Sequence, residues 1–183
     1  MTSSSFIASA RSSPVIAAAL AIIVVGGTAI AGAWFFQAVV GLNPCPLCLE
    51  QRIAYYIAIP LAALIMLGSS VGSSRKVLVM ALAAIAAAMM WNAALGAYHS
   101  GVEWKWWAGP RDCSGPVTNF GNAGDLLRQM QTTSVVRCDE APWRFLGLSL
   151  AGYNVLISLV LAAVAMWGAW TEWNRPAAAE AAQ

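Results

Sequence analysis

Long apolar stretches with no charged residue alternate with short polar segments along the chain. The charge-free intervals run from Arg11 to Glu50, from Arg52 to Arg75, from Lys76 to Glu103 and from Arg144 to Glu172. A helix needs about 20 apolar residues to cross the hydrocarbon core of a bilayer, and each interval is long enough. The pattern therefore predicts an all-α membrane protein, a four-transmembrane-helix bundle with spans at about 14–40, 53–71, 77–98 and 148–170.

The composition points in the same direction. Of the 183 residues, 60% are hydrophobic and 10% are charged, whereas about 25% of the residues in a soluble domain are charged. Lipid must therefore be the main solvent of this chain, and we expect a single membrane domain over residues 1–183. The net charge of +2 is too small to indicate nucleic acid as a partner.

The segments outside the predicted spans differ in length. We expect a short loop at 41–52, a long loop at 99–147 and a disordered tail at 176–183. The first span could instead be a cleaved signal peptide, because Ala31-Gly32-Ala33 resembles a cleavage site, but the apolar run continues to Leu42 and favours a membrane helix. Small residues are expected where the helices pack against each other, namely Gly26, Gly27, Gly32, Gly96 and Gly152.

All four cysteines fall on the same side of the predicted membrane. Four spans place both termini on one side, and the two loops with Cys45, Cys48, Cys113 and Cys138 on the other. Cysteines that are confined to one face and to loops suit an oxidising compartment, while the density of basic residues favours the termini inside only weakly. We therefore expect a multi-pass protein of a bacterial inner membrane, with cytoplasmic termini and periplasmic cysteines.

The first two cysteines form a Cys-x-x-Cys motif at the predicted start of the second helix. Proline is favoured in the first turn of a helix, so the helix is expected to begin near Pro46 and to carry Cys48 in its opening turn. Free backbone N–H groups and the positive end of the helix dipole would stabilise a Cys48 thiolate there. Arg52 follows one turn later on the same face, and its permanent charge would favour negative charge beside Cys48.

Two other interpretations of these residues stay open at this point. A Cys-x-x-Cys pair also binds zinc, and the remaining two cysteines could complete a four-thiolate site in a non-enzymatic membrane scaffold. The wide separation of Cys113 and Cys138 along the chain favours redox chemistry instead. Arg52 could simply be an interfacial anchor that extends its charge to lipid headgroups, although an ionisable residue within a span is a candidate for function.

These motifs resemble those of the disulfide bond formation protein B (DsbB) family over nearly the whole chain. The resemblance consists of four spans, a Cys-x-x-Cys after the first that is followed by Arg52, and a second cysteine pair between the third and fourth spans. The sequence Trp-Arg-Phe-Leu-Gly-Leu at 143–148, just after Cys138, is a further family feature. The resemblance implies a membrane thiol:quinone oxidoreductase that reoxidises a periplasmic, thioredoxin-fold oxidase of the DsbA type.

The resemblance also implies a role for each cysteine. Cys113 would be attacked by the DsbA-type partner, and Cys138 could then bridge to Cys45. Cys48 would face the quinone, assisted by Arg52. The quinone could be ubiquinone or menaquinone, and the partner could be a general oxidase or one dedicated thiol protein.

His99, the single histidine, lies at the predicted outer end of the third span, and Asn92 lies on the same helical face. His99 could cap the helix end in the headgroup region, or it could be a hydrogen-bond or proton partner of the quinone, a role that suits histidine. The quinone pocket is expected at the periplasmic end, lined by the first two helices with His99 nearby. Three polar residues close to it receive no role: Gln37, Glu50 and Gln51.

Two features of the long loop are also open to interpretation. Trp104, Trp106 and Trp107 are expected to form an interfacial aromatic belt, with a partner-binding patch as the alternative. Residues 125–130 could form a short amphipathic helix on the membrane surface.

A vitamin K epoxide reductase-like enzyme is the nearest alternative, because it shares the four-helix core and quinone chemistry. In that family the Cys-x-x-Cys lies near the start of the last core helix. Here it follows the first span, which speaks against that assignment.

Overall fold

The structure is a computed structural model that describes residues 13–110 and 137–176. Cys113, the possible surface helix at 125–130 and all but the first residue of the predicted tail lie outside the described residues. Within the described ranges, four helices are long and apolar enough to cross a membrane. This confirms the predicted four-helix membrane bundle.

The helices begin and end close to the predicted spans, except that residues 46–52, expected in a loop, open the second helix and that the third helix is longer than predicted. They span Pro14–Ala38 (α1), Pro46–Ser70 (α2), Arg75–Glu103 (α3) and Leu150–Trp173 (α4). The α2 helix begins at Pro46, as its motif predicts. The α3 helix continues to Glu103, past the predicted limit at 98, so His99 lies inside a helix rather than in the loop.

Proline and small polar caps fix where these helices start. Pro14 and Pro46 occupy first-turn positions, where the missing N–H is not needed for the helix. The Ser149 side chain accepts a hydrogen bond of 3.2 Å from the Gly152 N–H and so caps α4. The starts of α2 and α4 in turn determine where the side chains near the cysteines lie along the bundle.

The four helices pack in a ring, in chain order. The α1 helix contacts α2 and α4, α2 contacts α3, and the most extensive contact joins α3 to α4. Only 28–39% of the most apolar window of each helix is buried inside the bundle. The remaining apolar surface faces outward, which is stable in lipid and not in water.

Small residues allow close approach at some of the predicted positions but not at all of them. A side chain at Gly96 would meet the Ala151 carbonyl oxygen of α4 at 3.3 Å, and Gly26 and Gly152 also lie against side chains. The prediction was wrong for Gly27 and Gly32, where an added Cβ would meet nothing within 4 Å. Those two positions face open space, a property that composition alone does not reveal.

A short β-hairpin, which was not predicted from the sequence, precedes α4. Its strands, Arg144–Phe145 (β1) and Leu148–Ser149 (β2), pair antiparallel around a two-residue turn. Leu146 and Gly147 both have positive φ, at 49° and 83°, which is the geometry of a type I′ turn. The hairpin lies between Cys138 and α4 along the chain, and its last residue, Ser149, caps α4.

The contact between α3 and α4 generates a stability prediction. We expect Gly96→Leu to lower the free energy of unfolding by about 1–3 kcal/mol, because the new side chain would overpack this contact. Equilibrium unfolding in mixed detergent micelles measures the change. The matched variant Gly27→Leu, whose new side chain meets open space, should stay within about 0.5 kcal/mol of the wild type. Equal losses in the two variants would contradict this packing.

Candidate active site

Cys45 and Cys48 lie side by side at the start of α2. Their Sγ atoms are 2.8 Å apart, and neither cysteine is in a disulfide. Cys45 is buried, with 3% of its surface exposed, and Cys48 is half-buried. A disulfide requires about 2.05 Å between the sulfurs, so a small movement would join this pair. The two thiols are therefore placed for reversible disulfide formation with each other.

Backbone N–H groups at the start of α2 contact both cysteine sulfurs. Cys45 is the N-cap of α2, and its Sγ accepts a hydrogen bond of 3.2 Å from the Cys48 N–H. The sequence predicted such a contact for the Cys48 sulfur, which the Cys45 backbone hydrogen-bonds; the contact to the Cys45 sulfur was not predicted. The pKa of the Cys45 thiol is raised, mainly because Cys45 shares its proton with the Cys48 sulfur and is buried, while the Cys48 N–H acts in the opposite direction.

His99 of α3 contacts the cysteine pair directly. Its Nε2 lies 3.7 Å from Cys45 Sγ, and its Nδ1 lies 2.8 Å from Gln51 Nε2. Glu103, one turn later on α3, places Oε1 3.9 Å from the same Nε2. His99, Gln51 and Glu103 are all at least nine-tenths buried. His99 therefore lies between α2 and α3 as part of the thiol site rather than at a headgroup surface.

Gln51 and Glu103 had no role predicted from the sequence, although both left a signal there. Glu103 ends the third charge-free interval and follows His99 by four residues, a spacing that brings two side chains together on a helix. Gln51 precedes Arg52 and follows Cys48 by three residues. What the sequence could not give is the crossing of α2 and α3 that brings both side chains to one imidazole.

Arg52 lies beside Cys48, as its spacing predicts. Its Nη1 donates a hydrogen bond of 2.7 Å to Gln37 Oε1 on α1, and its guanidinium carbon lies 5.6 Å from the centre of the Trp34 ring. A guanidinium has five N–H donors, and Gln37 engages one of its nitrogens. The positive charge of Arg52 is thus fixed between α1 and α2, on the wall that it shares with Cys48.

Cys138 packs against the first cysteine pair. It is disulfide-bonded, and 1% of its surface is exposed. It forms a small buried cluster with Cys45, Leu47 and Val102, and its backbone is close enough to hydrogen-bond the His99 ring. Cys138 therefore places a disulfide-bonded sulfur next to the start of α2.

Exposed ion pairs hold the Cys138 segment to the end of α3. Asp139 pairs with Arg137 and with Lys105, just beyond the helix. Hydrogen bonds from Arg137 and Lys105 hold the pKa of the Asp139 carboxyl below its usual range. Because the pKa is depressed, these ion pairs are present at neutral pH and persist as the pH falls, until it reaches that lowered pKa.

A cavity of about 490 Å³ opens beside the cysteine pair within the bundle. Apolar side chains make most of its wall, and the polar groups Cys48, Gln51, Arg52 and Asn154 converge on one part of it. Such a cavity, apolar with a few placed polar groups, is typical of small-molecule sites. The expected pocket was assigned to α1 and α2 with His99 nearby; α4 also lines it, from Leu150 to Ile157.

The same geometry could also accept a metal ion. One donor atom each from Cys45, Cys48 and His99 lies within 4.8 Å of the others, and zinc binds such thiolate and imidazole donors. The four-thiolate version of this alternative is wrong for the described structure, because Cys138 is disulfide-bonded and offers no thiolate. The remaining three-ligand version is tested below.

Comparison with known proteins decides the family. The family model described as "Disulfide bond formation protein DsbB" matches residues 15–168. The chain belongs to the DsbB family. This assignment excludes the vitamin K epoxide reductase-like alternative and makes the chain a multi-pass membrane protein of disulfide bond formation.

Individual DsbB proteins are similar to the chain over most of their length. Disulfide bond formation protein B from Methylococcus capsulatus is 32% identical over 143 residues, which cover 77% of this chain and 85% of that protein. The protein of that name from Hahella chejuensis is 31% identical over 147 residues (74% and 84%). The one from a Polaromonas species is 27% identical over 135 residues (72% and 77%). No solved structure matches the chain significantly.

The metal and redox alternatives make opposite predictions for the purified protein. We expect Cys45 and Cys48 to form a disulfide with each other after mild oxidation, because their sulfurs are already in contact. Differential alkylation followed by peptide mapping identifies the linked peptides, and elemental analysis measures bound zinc. One zinc per chain, together with two alkylatable thiols at Cys45 and Cys48, would contradict the redox assignment.

Proposed function

We propose that this protein is a thiol:quinone oxidoreductase that reoxidises a DsbA-type disulfide oxidase. Electrons enter at the cysteine pair of the long loop, Cys113 and Cys138, and pass to Cys45 and Cys48. They leave from Cys48 to a membrane quinone. The observation that carries the proposal is the packing of disulfide-bonded Cys138 against Cys45, next to a cavity that exposes Cys48.

The transfer between the two pairs is thiol–disulfide exchange. A reduced partner gives up two thiol hydrogens and becomes a disulfide, while the loop pair becomes a dithiol. A Cys138 thiolate then attacks Cys45 Sγ in the Cys45–Cys48 disulfide; the new Cys138–Cys45 bond forms and Cys48 leaves as a thiolate. Because Cys138 and Cys45 share one buried cluster, this attack needs no large movement of the described segments. The second thiol of the loop pair completes the exchange and leaves Cys45 and Cys48 reduced.

The cavity and its polar groups fit a quinone. A bound quinone supplies an acceptor for two electrons and two protons that is itself soluble in the membrane. The apolar walls from α1 and α4 suit a ring with an isoprenoid tail, and Cys48, Arg52 and Gln51 would contact its polar end. The Cys45–Cys48 disulfide re-forms as the pair gives up its two electrons and two protons. His99, also on this wall, is placed to accept or donate a proton.

Arg52 is the residue best placed to lower the barrier to this step. Its charge cannot be lost by deprotonation, and Gln37 holds it on the cavity wall that contains Cys48. A fixed positive charge stabilises negative charge that develops next to it during electron transfer. The oxidising chemistry of the partner further supports an inner-membrane location, with the cysteine end of the bundle periplasmic and the termini cytoplasmic.

Quinone reduction by the purified protein tests the proposal. The assay supplies a reduced DsbA-type oxidase and a short-chain quinone, either a ubiquinone or a menaquinone analogue, and follows quinone absorbance and partner thiols together. We expect one quinone reduced for each partner disulfide formed. Cys48→Ser should abolish quinone reduction because the donor sulfur is gone. A folded protein that turns over neither quinone would contradict the proposal.

Variants at Arg52 test its part in the reaction separately. We expect Arg52→Met to lower kcat/KM for the quinone by about 100-fold, the order of magnitude for the loss of one preorganised charge. Arg52→Lys should lose less, since it keeps the charge but not the Gln37 geometry. Partner thiols should still exchange with the loop pair once in both variants. Normal quinone kinetics in Arg52→Met would remove Arg52 from this role.

A further inference from the structure

The His99 ring has a hydrogen-bond donor on one side and hydrogen-bond acceptors on the other. On one side, Gln51 Nε2 lies 2.8 Å from Nδ1. On the other side, Cys45 Sγ lies 3.7 Å and Glu103 Oε1 3.9 Å from Nε2. A neutral imidazole carries one N–H and one bare nitrogen, so these neighbours decide which nitrogen has the proton.

The two sides of the ring favour the same tautomer. The amide nitrogen of Gln51 can only donate a hydrogen bond, so Nδ1 must accept it and carry no proton. The groups beside Nε2, a thiolate or thiol sulfur at Cys45 and a carboxyl oxygen at Glu103, are acceptors for an N–H. The heavy-atom positions therefore favour an imidazole with its proton on Nε2, facing Cys45.

The Gln51 amide is part of a chain of hydrogen bonds across the bundle. Gln51 Oε1 accepts a bond of 2.6 Å from Asn154 Nδ2 on α4. Asn154 Oδ1 in turn accepts from the Tyr55 hydroxyl at 2.6 Å and from Asn92 Nδ2 at 3.3 Å. Asn92 also donates to Ser158 Oγ at 3.0 Å. The amide oxygens of Gln51 and Asn154 each face a donor, which leaves the Gln51 amide nitrogen facing His99 Nδ1.

We propose that Gln51 is a positioning residue that, backed by Asn154, holds His99 in the Nε2-protonated tautomer so that its N–H faces Cys45 Sγ. This inference rests on the proposed thiol exchange and gives it a further component. Whenever a thiolate attacks the sulfur bonded to Cys45, that S–S bond breaks and its electron pair stays on Cys45. The Nε2–H then donates a hydrogen bond to the departing Cys45 thiolate and keeps its own proton. In the opposite tautomer, the lone pair of Nε2 would face that thiolate and repel it.

The single histidine makes this tautomer directly observable. The whole protein, labelled with ¹⁵N-histidine in lipid nanodiscs, gives the signals of one imidazole, and the one-bond N–H coupling identifies the protonated nitrogen. We expect the wild type at neutral pH to carry its proton on Nε2. A wild type with its proton on Nδ1 would overturn the inference.

Two substitutions at one position separate positioning from a merely structural role. In Gln51→Leu, the ratio of Nε2-protonated to Nδ1-protonated imidazole should fall by about threefold to tenfold, as expected for the loss of one hydrogen bond. In Gln51→Glu, the new carboxylate can only accept, so the proton should move to Nδ1 or the ring should become doubly protonated. An unchanged tautomer in both variants would overturn the inference.

Gln37→Leu is the matched control, because Gln37 is a glutamine of the same site that contacts Arg52 instead of His99. Its His99 tautomer should match the wild type; a change equal to that of Gln51→Leu would attribute the effect to general disturbance and overturn the specific role of Gln51. The spectra need neither quinone nor partner. Failure of the tautomer prediction would therefore leave the proposed function standing, and failure of quinone turnover would leave the spectra unaffected.

Discussion

The N-cap position of α2 determines the geometry of the whole site. Cys45 ends the loop before α2, and its sulfur meets the first-turn N–H of Cys48, the Cys48 sulfur and the His99 ring. The start of the helix is in turn set by Pro46, which suits the first turn and keeps the residue before it extended. A shift of the helix register by one residue would rotate Cys48 and Arg52 by about 100° around the helix axis, since an α-helix has 3.6 residues per turn. The pairing of the thiols and their access to a membrane-soluble acceptor thus share one local cause.

The surrounding lipid explains why the polar groups of this site form a connected chain. Water is scarce within the hydrocarbon core of a membrane, so an amide or hydroxyl there must find a protein partner. Asn92, Asn154 and Ser158 satisfy each other, and Gln51 carries the chain to the edge of the thiol site. Such a chain stabilises the bundle only modestly, but it permits few alternative orientations. The polar residues of α2, α3 and α4 therefore determine how the side chains of the site are oriented. The apolar contacts determine only the positions of the helices.

The sequence predicts the parts of this structure that depend on local residue chemistry and on the alternation of apolar and charged segments. Charge-free intervals of sufficient length gave the four helices, and the proline within the Cys-x-x-Cys motif gave the start of α2. Contacts between helices depend on rotation and crossing angle, which apolar composition hardly constrains. This is why Gly27 and Gly32 were assigned to packing surfaces that they do not form, and why α4 was missing from the expected cavity wall. Glu103 was overlooked because α3 was expected to end at residue 98, before the turn that carries this carboxyl to His99.

The central claim is that Cys138 and Cys45 exchange electrons by direct bond formation. Removing Cys48 leaves Cys45 without its neighbour, so the intermediate that joins the two pairs should accumulate. The most direct measurement is peptide mapping of the full-length Cys48→Ser protein under non-reducing conditions, after free thiols have been blocked in the membrane. The proposed exchange predicts a Cys45–Cys138 disulfide in a large share of the molecules. Recovery of Cys45 as a fully blocked free thiol, in protein that is folded and has been exposed to an oxidised partner, would contradict it.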